Sequence, residues 1–162
     1  MNKWLLMAST AAVAAGATVF VLKSDFNPFE SAMTKSCESV LKERLRSPSD
    51  YKRVEITESQ QPLTLDEYLK DHRVKTEDER VLYTQIYNLD AAGKDPPTMF
   101  TLYIKYDAPN AYGTPIRGIS ECQYASSSSS KSHASDFSVV VDNFTRHQWL
   151  VKQVLKAQTV DN

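Results

Sequence analysis

The chain has 162 residues and is almost neutral, with 19 Lys and Arg against 20 Asp and Glu. That length suits one modest domain. No basic run exceeds two residues, so the concentrated positive face of a nucleic-acid binder is missing.

Residues 4–22 (WLLMASTAAVAAGATVFVL) form an uncharged run between Lys3 and Lys23. Such a run rises about 28 Å as a helix, close to the hydrocarbon thickness of a bilayer. It shows no polar stripe of the kind a buried soluble helix would carry. Two readings stay open. An uncleaved anchor would use the whole run and contact the membrane through residues 4–22. A signal peptide would be cut at a small-x-small site, and Ala12-Val-Ala14 and Ala15-Gly-Ala17 both offer one. The apolar continuation past both sites favours the anchor. The segment resembles bacterial export signals. The expected location is therefore the inner membrane facing the periplasm, or the periplasm itself after cleavage. Residues 1–23 are read as signal anchor or signal peptide, 24–35 as a juxtamembrane link, and 36–162 as a single domain.

Cys37 and Cys122 are the two cysteines. An exported chain is where two cysteines form a disulfide. Two free thiols, or a catalytic or metal role, are the weaker alternatives. Neither cysteine has a histidine nearby in sequence, and His72, His133 and His147 show no ligand spacing. The bond would close a loop worth about 4 to 5 kcal/mol of chain entropy. A small domain has only about 5 to 15 kcal/mol in total.

Pro28 interrupts any helix continuing from the apolar run. Ser36 or Thr34 is expected to cap a helix reaching about Arg46, with Cys37, Val40, Leu41 and Leu45 on one stripe. Ser47-Pro48-Ser49-Asp50 ends it. Residues 51–57 alternate as a strand, broken at Gln60-Gln61-Pro62. Thr64-Leu-Asp-Glu67 and Thr76-Glu-Asp-Glu79 are capping boxes that open two helices; the second region fits an alternating strand almost as well. Residues 99–106 (MFTLYIKY) alternate cleanly, with Phe100, Leu102 and Ile104 on one face. Residues 115–124 read as the partner strand, with Cys122 facing inward. Residues 125–135 form a flexible Ser-rich loop. Residues 137–141 read as a further strand. Thr145 caps a last helix with Trp149, Leu150, Val154 and Leu155 on its apolar side.

The segment YDAPNAYGTPIRGISEC (residues 106–122) lies between the two best strands. Pro109, Asn110 and Gly113 have the chemistry of a hairpin turn. Asp107, Asn110, Tyr112 and Arg117 form a candidate binding surface at this turn. Asp107 and Arg117 would equally serve as an ion pair across the hairpin. With Leu45-Arg-Ser-Pro-Ser49 after a Cys-bearing helix, this Asn-x-Tyr-Gly hairpin and its Cys resemble a family of small uncharacterised bacterial exported or membrane-tethered proteins. The resemblance covers residues 36–124. It implies a bacterial origin and a shared fold, and carries no activity.

The expected architecture is α+β: a small antiparallel sheet of three or four strands with helices packed on one face, preceded by an N-terminal transmembrane or signal helix. No Ser-His-Asp order, carboxylate pair or Gly-rich phosphate loop stands out, and no metal or cofactor is implied. The expected function is a non-enzymatic interaction module in the cell envelope, with a protein partner. The alternatives are a small-ligand-binding periplasmic protein, and a hydrolase whose site joins Asp107, Arg117 and a histidine only in three dimensions. His72 and His133 lie in polar segments and are expected to be solvated.

Overall fold

The computed structural model of the chain describes residues 20–23 and 30–160. In chain order its elements are β1 (Phe20–Lys23), α1 (Ala32–Glu43), a 3-10 turn (Pro48–Asp50), β2 (Lys52–Pro62), α2 (Leu65–Asp71), α3 (Glu77–Ala91), β3 (Thr98–Pro109), β4 (Pro115–Ser126), β5 (Val140–Val141), β6 (Phe144–Thr145) and α4 (Arg146–Val160). The class is α+β. The sheet has six strands in the order β1-β2-β3-β4-β5-β6, with every neighbouring pair antiparallel.

The expectation of three or four strands falls short at both edges. At one edge, Phe20 pairs with Glu58 and Lys23 with Glu55, so the end of the apolar run is strand backbone and not helix. The long β2 leaves a row of peptide groups to be paired, and Phe-Val-Leu suits a strand. Residues 1–19, which hold the rest of the expected anchor or signal peptide, lie outside the described residues. Among the described residues no helix is long and apolar enough to cross a membrane. At the other edge, β5 and β6 form a small hairpin through Asp142 (φ 47°) and Asn143 (φ 67°). Two successive residues at positive φ are the requirement of a two-residue hairpin turn, and Asp and Asn tolerate it. The strand expected over residues 137–141 shrinks accordingly to Val140–Val141.

The central strands alternate as read. Phe100, Leu102 and Ile104 share a face with Ile56 of β2 and with Cys122 and Tyr124 of β4. α1 covers that face with Met33, Cys37, Val40 and Leu41. The Cys37–Cys122 disulfide joins helix to sheet, with the two Cα atoms 5.9 Å apart. α1 begins earlier than expected because Ser31, not Thr34 or Ser36, is the cap: its Oγ accepts from the Thr34 N–H at 3.1 Å. The predicted link over residues 24–35 is thus already helical from Ala32. β2 runs through Gln60 and Gln61, which pair with Phe100 and Met99; only Pro62, at its last position, ends it.

Both capping boxes are reciprocal, and α3 is a helix. Helices on one face alone is corrected. α1 lies on one side, while α2 and the start of α4 flank the other, beside Gln61, Met99, Thr101 and Gln123. Only Leu63 and Thr64 separate β2 from α2, which leaves no length to cross the sheet. The Ser-rich segment begins inside β4 and is tied at several points. Ser126 Oγ donates to the Ser130 carbonyl at 2.8 Å, the Ser129 N–H donates to Asp95 Oδ1 at 2.6 Å, and Lys131 pairs with Glu58.

Candidate functional site

The four predicted hairpin residues do come together at the β3–β4 tip. Asp107 and Arg117 are register partners, and the guanidinium grips the carboxylate at two points: Nε to Oδ1 at 2.8 Å and Nη2 to Oδ2 at 2.9 Å. The Arg117 guanidinium holds the Asp107 carboxyl below its ordinary range. Asn110 Oδ1 accepts from the Tyr112 and Thr114 N–H groups at 2.9 and 3.1 Å. Gly113 takes φ +79° with open space around it, which closes the turn. Three of the four residues therefore fasten the hairpin. Tyr112 is left 92% exposed.

The alternation that buries Phe100, Leu102 and Ile104 sends Tyr103 and Lys105 to the opposite face, with Ile119 beside Lys105. Tyr103 is 44% and Ile119 68% exposed. Lys105 lies 3.8 Å from Glu55, and the Asp107–Arg117 pair follows towards the tip. An aromatic and aliphatic strip with charged flanks thus runs along the outer face of one hairpin to Tyr112. A cleft of about 300 Å³ lies on the near side of the tip, lined by Asp50, Lys52, Asp107 and Pro109 among others.

A wider groove of about 600 Å³ opens farther along the same outer face. Met99, Thr101, Gln123 and Val140 form part of its lining from the sheet. Lys70, Asp71 and Arg73 of the α2 end form one wall, and Gln148 of α4 stands at the other. Arg73 sits at φ 52°, the left-handed position that terminates α2, with the Val74 N–H returning to the Leu69 carbonyl at 3.2 Å. Sequence reasoning missed this groove. Its walls come from separate elements, and the Asp142-Asn143 turn that aligns α4 was the one local signal.

Arg117 and Asp107 hold each other, and no histidine lines either cleft. His72 is not solvated as expected: its ring packs on Tyr68 at 4.2 Å and Tyr83 at 4.9 Å, and Nδ1 lies 2.9 Å from the Tyr68 carbonyl oxygen. His133 and His147 are exposed on other elements. Among the described residues no group of three or more His, Cys, Asp or Glu could hold a metal ion.

On the inner face lies a charged cluster that no motif announced. Glu38 of α1 is 6% exposed. It accepts from Tyr51 Oη at 2.5 Å, Arg53 Nε at 2.6 Å and Arg53 Nη2 at 2.5 Å, and Arg53 also pairs with Glu30. Burial alone would push the Glu38 carboxyl up; the bonds from Arg53 and Tyr51 outweigh it and hold the group below its ordinary range. Burial and the Glu38 carboxylate push the Tyr51 phenol well up. The cluster faces no described cleft and acts as a clasp between α1 and β2.

No family model, no curated protein and no solved structure matches this chain.

Proposed function

We propose that the chain is an exported or membrane-tethered interaction module of the bacterial cell envelope. In this reading it captures a protein partner along the outer face and tip of the β3–β4 hairpin. The observation that carries this reading is the unequal use of the two sheet faces. One is sealed by α1 and a disulfide; the other presents Tyr103, Ile119 and Tyr112 between charged pairs. Exposed aromatics with a polar rim are the composition of contact surfaces. The resemblance of the Asn-x-Tyr-Gly hairpin to small exported bacterial proteins supports the same setting.

The test is a photoreactive side chain placed at Tyr112 or Ile119 in the producing cell, with Lys94 as the control position. A discrete adduct of one mass from the hairpin positions, absent at Lys94, is expected. Replacing Arg117 with Ala should weaken that adduct while the fold persists. Equal or absent labelling at all three positions would refute the surface.

The groove favours a second reading, a small polar ligand held between sheet, α2 and α4. Its volume suits a metabolite. A ligand should then raise Tm, and Thr101→Trp, which fills the groove, should cancel the rise. A thermal-shift screen with no such ligand removes this reading.

A further inference from the structure

The groove between the sheet, α2 and α4 carries its hydrogen-bonding capacity in uncharged side chains. Gln123 Nε2 donates to Glu121 Oε1 at 2.7 Å, which leaves its carbonyl oxygen to accept. Gln148 Oε1 accepts from the Thr145 N–H at 2.9 Å, which leaves its amide nitrogen to donate. The side chains of Gln61, Thr101 and Asn143 have no partner among the described residues. Donors and acceptors are therefore interleaved along one surface. A hydroxyl, which donates and accepts at once, is the group that matches such a surface. Met99 and Val140 place apolar patches between them.

Charge and backbone narrow the ligand further. The charged residues of the lining cancel: Glu67 and Asp71 stand beside Lys70 and Arg73 on the α2 wall. No net field draws an anion or a cation in. The floor lies inside the sheet, where β3 pairs with β2 and β4, and β4 with β3 and β5. An extended peptide finds no free strand edge there to bond its amides. Along β3, Tyr103 follows Thr101 on the same outer face, about 7 Å farther on, and is 44% exposed. An aromatic ring with one open side suits the apolar C–H face of a pyranose. We propose that the groove takes a neutral oligosaccharide, whose chain leaves it along β3 across Tyr103. This rests on the reading of the groove as a ligand site and names the ligand class. The amides and Thr101 meet the sugar hydroxyls, Met99 and Val140 meet ring carbons, and Tyr103 carries the next unit. Tyr112, at the hairpin tip, takes no part.

The experiment is titration calorimetry of the protein as recovered from the producing cell. The neutral probes are cellotetraose, maltotetraose and triacetylchitotriose; the contrasting probes are trigalacturonate, trialanine and glutamate. A neutral saccharide is expected to bind, with a Kd unchanged between about 0.05 and 0.5 M salt. Thr101→Trp and Gln61→Ala should each raise that Kd, the first about tenfold or more. Gln61 is exposed, so its variant decides the matter if the tryptophan disturbs folding. Tyr103→Ala should weaken the longer saccharide and leave its disaccharide unaffected, and Tyr112→Ala should change neither. Binding of a charged probe or trialanine alone, abolished by Thr101→Trp, overturns the saccharide and keeps the groove as a ligand site. No binding by any probe overturns both the inference and the ligand reading beneath it. Saccharide binding that ignores Thr101→Trp and Gln61→Ala also overturns the inference, because the sugar then sits elsewhere.

Discussion

At the scale of single residues, Glu38 carries the most consequence. It is an acid inside the core boundary, kept ionised by Arg53 and Tyr51. Replacing Arg53 with Met would leave a buried carboxylate short of its main partner, a change that costs about 3 to 5 kcal/mol in comparable sites. The cluster also sets a direction for pH. The folded pKa of Glu38 lies below its ordinary value of 4.5. Its stabilisation is therefore present in full above that value and is lost as pH falls through the lower, folded one. Denaturant midpoints measured from neutral to acid pH should fall on the acid side, and Glu38→Gln should make that fall shallower from a lower starting stability. An unchanged slope would mean that the other paired carboxylates carry the acid response. Gly118 is a quieter case. A Cβ there would meet the Tyr106 ring at 2.6 Å, and Tyr106 in turn packs on Tyr51 at 5.6 Å. The glycine serves the same clasp from the opposite strand.

At the scale of elements, the β3–β4 hairpin and Arg44 show two ways of holding a strand end. The hairpin holds itself: Asn110 closes the turn within four residues. Asn110→Ala should cost about 1 kcal/mol in denaturant unfolding, the usual net worth of such bonds. A much larger loss would show that the turn also organises contacts beyond itself. The β5–β6 hairpin is held from outside. Arg44, just past α1, donates from Nη1 to the Val141 carbonyl at 2.6 Å and from Nη2 to the Phe144 carbonyl at 2.9 Å. Arg146 Nε reaches Glu43 at 2.7 Å. The C-terminal end of α1 thereby sets where α4 starts.

At the scale of the whole molecule, the disulfide and the clasp hold α1 through consecutive residues, Cys37 and Glu38. Residues 85 apart in sequence are joined by Cys37–Cys122. Reduction, or Cys37→Ala with Cys122→Ala, is expected to lower stability by about 4 kcal/mol, read from urea unfolding of oxidised and reduced protein. Residual fold after reduction would then rest on the Glu38 clasp and the apolar contacts of Met33, Val40 and Leu41. A reduced protein as stable as the oxidised one would show that these suffice.

What the sequence by itself determined is local. The two capping boxes, the alternation of β3 and β4 and the Asn110 turn were legible because their bonds join residues close in the chain or follow a strict period of two. The inward direction of Cys122 followed from the same period, and the disulfide from two cysteines in a chain read as exported. The tertiary structure alone decided the rest. The pairing of residues 20–23 depends on the free edge of β2, and the burial of Glu38 on Arg53 arriving from another element. The groove depends on α2 and α4 ending on one face. The exposure of Leu89 on α3 and Leu155 on α4 depends on which side of each helix the body covers. In each case the free energy comes from partners distant along the chain, and a local pattern is the same whether such a partner arrives or not.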